Sequence, residues 1–256
     1  MKLSFITFIL FVLLTLESFA GIQDGLVIYF SFDKVDGKTV INEANPKLNG
    51  TLEAEAKIVD GYKNKGVGLN VDAAVTTPGL DFVRVVDAPE LNIDKEFTIA
   101  LWAKATNFGA YRTLMSKTDA GAYAFTVEDE KLTGWIHIAG DYLHVAGSTT
   151  LEKNKWYHFT MTFNGNDAIL YIDGKPDGKA SKKGPITVNN SDFMIGAEPS
   201  GKNVDQTYPA WHGVLDEFYF YNRALTENEI DLVIKNVATV KPHQKITSVW
   251  GAIKNK

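Results

Sequence analysis

The 256-residue chain has no cysteine. No disulfide can staple it, no thiolate can serve as nucleophile, and cysteine-based zinc sites and lipoprotein anchors are excluded. Basic charge is also short. Lys and Arg number 26 against 31 Asp and Glu, a formal net charge of −5 with no basic stripe, which argues against nucleic acid as a partner. Such a balance is compatible with neutral glycans and with calcium. The five histidines offer no metal spacing. His137, His144 and His158 fall in predicted strands without a second ligand at helical or strand spacing. No Gly-x-Ser-x-Gly elbow and no phosphate loop appears, so Ser/His/Asp catalysis has no anchor. Long apolar runs are missing too, with one exception at the very start.

That exception spans residues 3–16, preceded by Met1-Lys2 and followed by Glu17-Ser18-Phe19-Ala20. The run is shorter than the roughly 18–20 residues of a spanning helix. Small residues at Ser18 and Ala20 fit a cleavable signal peptide over 1–20, with a mature start near Gly21. After cleavage no transmembrane helix remains, and a secreted, periplasmic or envelope location is expected. With 45% hydrophobic residues, the remainder can build one sizeable core without disulfides.

The remainder reads as short β runs separated by Gly, Asn, Asp and Pro: 26–32, 82–86, 97–103, 111–117, 123–128, 131–138, 142–146, 156–163, 168–172, 193–197 and 214–221. Regular strand spacing with turn residues between predicts an all-β, antiparallel two-sheet β-sandwich. Asn164-Gly165 and Asp173-Gly174 mark hairpins, because these pairs accept positive φ. One helix is expected near the C-terminus. Thr226 caps it, Glu229 completes a capping box, and Ile230, Val233, Ile234 and Val237 form its apolar stripe. The domain is placed at 21–238. Residues 239–256 form a basic tail, with Lys241, Lys245, Lys254 and Lys256 beside Ile246, Val249, Trp250 and Ile253 at helical spacing. It suits an intramolecular cap, a partner contact or an anionic membrane surface.

The order of motifs resembles a known family. Gly25-Leu26-Val27-Ile28-Tyr29-Phe30-Ser31-Phe32-Asp33 is similar to the opening strand of laminin G-like, concanavalin A-like jelly rolls. Leu48-Asn49-Gly50-Thr51-Leu52, Phe82-Val83-Arg84-Val85, and Phe97-Thr98-Ile99-Ala100-Leu101-Trp102-Ala103-Lys104 resemble the motifs that follow. Trp156-Tyr157-His158-Phe159, Leu170-Tyr171-Ile172-Asp173-Gly174-Lys175 and the run from Gly213 to Thr226 complete the series. The resemblance covers about 25–235 and implies a concanavalin A-like jelly roll with one convex and one concave sheet.

The resemblance also implies sites. In the wider group a structural calcium often joins the first and last strands, and the matching positions are Asp33, Gly50 and Asp216. Mixed carboxylate and carbonyl oxygens suit that ion. Carbohydrate or a cell-surface ligand would meet aromatic and planar polar side chains of the middle strands, namely Tyr111, Arg112, Tyr123, Trp135, His137 and Tyr142. The segment 198–211, with Tyr208, would overhang them as a binding loop. Trp102, Trp156 and Trp211 read as core. A rival reading, a glycoside hydrolase or lyase, needs paired carboxylates on one strand face. The single acidic cluster, Glu128-Asp129-Glu130, falls at an expected hairpin turn, where solvated charges belong, so no catalytic residue is assigned. A structural or adhesive envelope protein without a sugar site is the other alternative.

Overall fold

A computed structural model describes residues 21–71 and 81–235. The expected signal peptide, the basic tail and Val237 lie outside the described residues. In chain order the first strands are β1 Leu26–Phe30, β2 Val35–Asp36, β3 Thr39–Val40, β4 Gly50–Glu53, β5 Lys57–Asp60, β6 Lys65–Leu69, β7 Phe82–Val85, β8 Phe97–Asn107 and β9 Tyr111–Ser116. Then come β10 Tyr123–Glu128, β11 Lys131–Ile138, β12 Asp141–Ala146, β13 Trp156–Phe163, β14 Asp167–Ile172 and β15 Lys175–Ser181. The set closes with β16 Phe193–Ile195, β17 Pro199–Ser200, β18 Asn203–Val204, β19 His212–Tyr221 and helix α1 Glu227–Ile234.

The strands form the antiparallel sandwich that the sequence pattern predicts. One sheet has eight strands, in the order β15-β14-β13-β8-β19-β6-β5 with β1 also paired to β19. The other has nine, in the order β12-β11-β10-β9-β16-β7-β4-β3-β2. Side chains alternate across each sheet, so every second residue reaches the space between them. Phe30, Phe97, Phe125, Phe159, Phe193 and Trp211 fill that space, almost wholly buried.

Turn and cap chemistry holds locally. Asp173 and Gly174 both take positive φ, +50° and +78°, the primed turn that joins β14 to β15 with matching twist. At the other hairpin Asn164 acts through its side chain. Its Oδ1 accepts from the N–H groups of Asn166 and Asp167 at 3.1 and 2.8 Å. Helix α1 begins at a reciprocal capping box. The Glu229 N–H donates to Thr226 Oγ1, and the Thr226 N–H to Glu229 Oε2. Its Ile230 and Val233 pack with Tyr171, Tyr219 and Tyr221 outside the main core.

Several paired segments carry no strand signature in sequence. β6 contains two glycines, and β15 reads Lys-Pro-Asp-Gly-Lys-Ala-Ser. β15 forms the edge of its sheet, where a proline's missing N–H costs the ladder least. Of the expected core tryptophans, Trp102 is buried, though outside the space between the sheets, and Trp156 is not core. Trp102 stacks under Tyr62 (centroids 3.5 Å, planes 9° apart), and half-buried Trp156 meets the same ring edge-on at 5.8 Å. Both project from the outer face of the eight-stranded sheet, because they sit in the opposite phase to the inward-facing Leu101 and Tyr157. Trp211 is core, as expected.

Candidate functional site

The outer face of the nine-stranded sheet carries an open cleft of about 200 Å³ lined by Tyr111, Thr118, Ala124, Trp135, Tyr142, Glu198 and Tyr208. Strand alternation builds it. On β10, Tyr123, Phe125 and Val127 enter the core, while Ala124, Thr126 and Glu128 face outward. On β11, Leu132, Gly134 and Ile136 turn inward, leaving Thr133, Trp135 and His137 outside. Ala124 and Trp135 are cross-strand partners, as are Trp135 and His144. A small residue thus lies beside the large indole, and the floor stays open.

The aromatic rings stand in two groups. Tyr111 and Tyr208 lie 5.6 Å apart on one side. On the other, Trp135 stacks on His144 at 4.1 Å and meets Tyr142 edge-on at 6.2 Å, and His137 meets Tyr142 at 4.7 Å. Two carboxylates fix these rings. Glu198 is buried, with Oε1 accepting from Thr118 Oγ1 at 2.6 Å and Oε2 from the Tyr111 hydroxyl at 3.3 Å. Burial raises its pKa above the usual carboxylate range, against the lowering effect of those two donors. Glu128 Oε1 accepts from Trp135 Nε1 at 2.6 Å and from Thr126 and Thr133 hydroxyls at 3.0 Å each.

Of the residues expected from sequence, Tyr111, Trp135, Tyr142 and Tyr208 converge on this cleft, and His137 flanks it. Two expectations are corrected. Tyr123 is fully buried, stacked on Phe97 at 4.6 Å, with its hydroxyl donating to the Leu91 carbonyl. Arg112 is also buried, its guanidinium donating to the Tyr111 carbonyl and to Asn107 Oδ1. Each is adjacent in sequence to a residue of the cleft, and neighbours on a strand face opposite ways. The acidic cluster divides on the same principle. Asp129 and Glu130 form the turn, with φ of +47° and +62°, whereas Glu128 closes β10 and turns onto the sheet face. Sequence reasoning missed Thr118 and Ala124 as lining residues and reached Glu198 only as the start of the overhanging 198–211 segment. The outward phase of Ala124, Thr126 and Glu128 was the available signal for Ala124, while Glu198 and Thr118 arrive from loops.

Of the residues expected around calcium, Gly50 and Asp216 belong to different sheets. Gly50 lies in the nine-stranded sheet, where an added Cβ would come within 2.7 Å of Val83 Cγ1 and 3.2 Å of Phe30 Cζ. Asp33 and Asp216 both hold the segment that joins β5 to β6. Asp33 Oδ1 accepts from the Lys65 N–H at 2.9 Å, and Asp216 Oδ2 from the Lys63 N–H at 2.8 Å. Asp216 is fully buried, and desolvation pushes its pKa up to about 7. Beside it, Glu217 Oε2 accepts from the Tyr29 and Tyr219 hydroxyls. Glu217 Oε1 is buried without a hydrogen-bond partner, 4.0 Å from Lys63 Nζ. Among the described residues, no group of three His, Cys, Asp or Glu side chains is disposed to hold a metal ion. These carboxylates do not form a closed cation cage: Asp33 and Asp216 accept main-chain N–H groups, and Glu217 Oε1 faces Lys63 Nζ.

Comparison with known proteins agrees with this architecture. The chain is 25% identical over 238 residues to Paraclostridial mosquitocidal protein 1 of Paraclostridium bifermentans, an alignment covering 84% of this chain but 18% of that protein. The binding domain of the same toxin superposes with a TM-score of 0.67 at 21% identity, covering 86% of this chain and 54% of that one. Domain 4 of AbnA, an extracellular arabinanase from Geobacillus stearothermophilus solved with arabinotriose, gives 0.61 at 17% identity, covering 82% of this chain and 98% of that one. The binding domain of botulinum neurotoxin DC in complex with SialylT also gives 0.61, at 15% identity, covering 84% of this chain and 52% of that one. The family model of the concanavalin A-like lectin/glucanases superfamily matches residues 78–231, a span that runs from β7 into α1 and takes in every strand of the cleft. With its two antiparallel sheets and that match over more than half its length, the chain belongs to the concanavalin A-like lectin/glucanase superfamily.

Proposed function

We propose that this protein is a non-catalytic binding module whose cleft on the nine-stranded sheet receives carbohydrate. The observation that carries the reading is the pairing of Tyr111, Trp135, Tyr142 and Tyr208 with the Glu198 carboxylate in one open cleft. Aromatic faces cover the apolar side of a sugar ring, and a few fixed polar atoms select its hydroxyls. The arabinotriose complex of the arabinanase domain supports this reading by analogy of fold. Catalysis is not part of the proposal. Glu128 Oε1 is committed to three donors and Glu198 to two, a pattern that orients rings rather than freeing an acid–base pair.

The test is calorimetric titration of the protein with neutral oligosaccharides, arabinotriose included, alongside Trp135→Ala. Truncating an aromatic anchor in a binding site costs about 2 kcal/mol or more, close to thirtyfold in affinity. A retained affinity in Trp135→Ala would move the sugar site away from this cleft.

Calcium is a second, separate proposal, centred on Asp33, Asp216 and Glu217. Its support is the orphaned Glu217 Oε1 and the burial of two adjacent carboxylates. A bound cation would add to the positive charge that Lys63 already sets opposite Glu217, and would tie the end of β1 to β19.

A further inference from the structure

The cleft has a definite electrical sign. Glu198 lines it directly, and Glu128 stands behind Trp135. Two more acids approach from the loops: Asp119, which accepts from the Gly201 N–H, and Asp205, which accepts from the Thr207 N–H and hydroxyl. Their field reaches the tyrosines. After burial, Glu198 and Glu128 are the main causes that keep Tyr111 protonated, and Glu198 and Asp119 act the same way on Tyr142.

Among the described residues, no Lys or Arg side chain lines the cleft. Neighbouring cations are spent elsewhere. Arg112 points away, bonded to Asn107 and the Tyr111 carbonyl. Lys117 is fully buried against Asp87 and the Ser191 carbonyl, and Lys202, outside the lining, is exposed at the surface 3.9 Å from Asp192. The bases that face this side are His137 and His144. His144 Nε2 lies 3.8 Å from Glu128 Oε2, so its proton, when present, pairs with that acid.

From this arrangement, and resting on the reading of the cleft as a sugar site, we infer that the ligand is a glycan free of carboxylate, sulfate and phosphate groups, held through hydroxyl donors to Glu198. A carboxylate has about four acceptor positions, and Thr118 and Tyr111 occupy two of those on Glu198. The remaining positions take sugar O–H groups. A sialic or uronic acid would instead set its carboxylate against Glu198, with three further acids nearby and no Lys or Arg lining the cleft, and a like-charge contact is strongly unfavourable. The same geometry separates this cleft from a sialoside-binding one, where a cationic or multi-donor partner for the acid is required.

A glycan array carrying matched pairs tests the inference: lactose with 3′-sialyllactose, and galactotriose with trigalacturonate. It is probed with wild type, Trp135→Ala and Glu198→Gln, each checked for folding by its melting temperature. Expected are signals on neutral members that Trp135→Ala removes, with acidic partners at least about tenfold weaker. Glu198→Gln should weaken neutral binding and narrow the gap between the members of each pair. Acidic members bound as well as their neutral parents would overturn the inference while leaving the sugar site standing. Silence of the folded wild type across the whole array would instead sink the carbohydrate reading itself, and this inference with it.

Discussion

His158 shows how far burial reaches at the scale of one residue. Its ring is almost fully enclosed, edge-on to Trp102 at 5.3 Å, with Nδ1 3.3 Å from Thr160 Oγ1 and Nε2 without a partner. Desolvation lowers its pKa from 6.5 to about 3. The folded state therefore holds the neutral ring, while the unfolded chain protonates below about 6.5. A depressed folded pKa contributes stability that is present above 6.5 and lost as pH falls toward 3, at about 1.4 kcal/mol per unit. Buried Asp216, Glu217 and Glu198, whose pKa values are raised, act with the opposite sign over part of that range. The comparison of wild type with His158→Gln isolates the histidine. By pH 5 the wild type should lose about 2 kcal/mol more than the variant, relative to pH 7, in urea melts. Parallel pH profiles would show that the ring does not titrate on unfolding.

At the scale of an element, β19 depends on a glycine where it meets β8. Gly213 lies at a register irregularity between the two strands. Its φ is +147°, and an added Cβ would fall 2.1 Å from the Lys104 carbonyl oxygen. Backbone cannot yield as a flexible side chain does, so Gly213→Ala should cost at least about 2 kcal/mol in urea melts. Gly37 is the control, with φ +58° and nothing within 4 Å of the added Cβ. Gly37→Ala carries only the left-handed backbone penalty, about 1–2 kcal/mol. Equal losses in the two variants would remove the steric argument for β19.

For the whole molecule, the question is what holds β1 and β19 to the segment between β5 and β6. Without metal, Asp33 and Asp216 hold it through main-chain N–H groups, and Lys63 supplies charge opposite Glu217. If calcium binds beside them, a hundredfold excess over Kd stabilises the fold by about 2.7 kcal/mol. For a domain of this size that raises Tm by roughly 2–4 °C per kcal/mol. Chelation should therefore lower Tm by several degrees. Asp216→Asn should abolish the calcium response, though it also lowers Tm by itself. Asp216 accepts from Lys63 N–H with one oxygen and from Glu217 N–H with the other, and an amide cannot accept through both ends. The response to calcium within each variant is thus the measurement that decides. Wild type melting identically in excess calcium and in chelator would end the calcium proposal.

Local signals were enough for the β-sandwich, because period-2 patterning, turn pairs and a capping box all pointed to one architecture. It reached Tyr111, Trp135, Tyr142 and Tyr208 through residue type and motif order. It did not place Tyr123, Arg112 and Trp156 correctly, although alternation along each strand was there to be read. Phase says which residues share a face, but which face meets the other sheet depends on pairing between distant strands. β6 and β15 were hidden for the same reason: their glycines and proline acquire strand geometry only from the ladder beside them. Glu198 was reached only as the first residue of the overhanging 198–211 segment; its carboxylate's place in the cleft was beyond local reading. It enters the cleft because the chain after β16 folds back over β9 and β10, and its hydrogen bond to Thr118 spans 80 residues. Only tertiary packing brings such a carboxylate against four aromatic rings, and with it the cleft's negative sign.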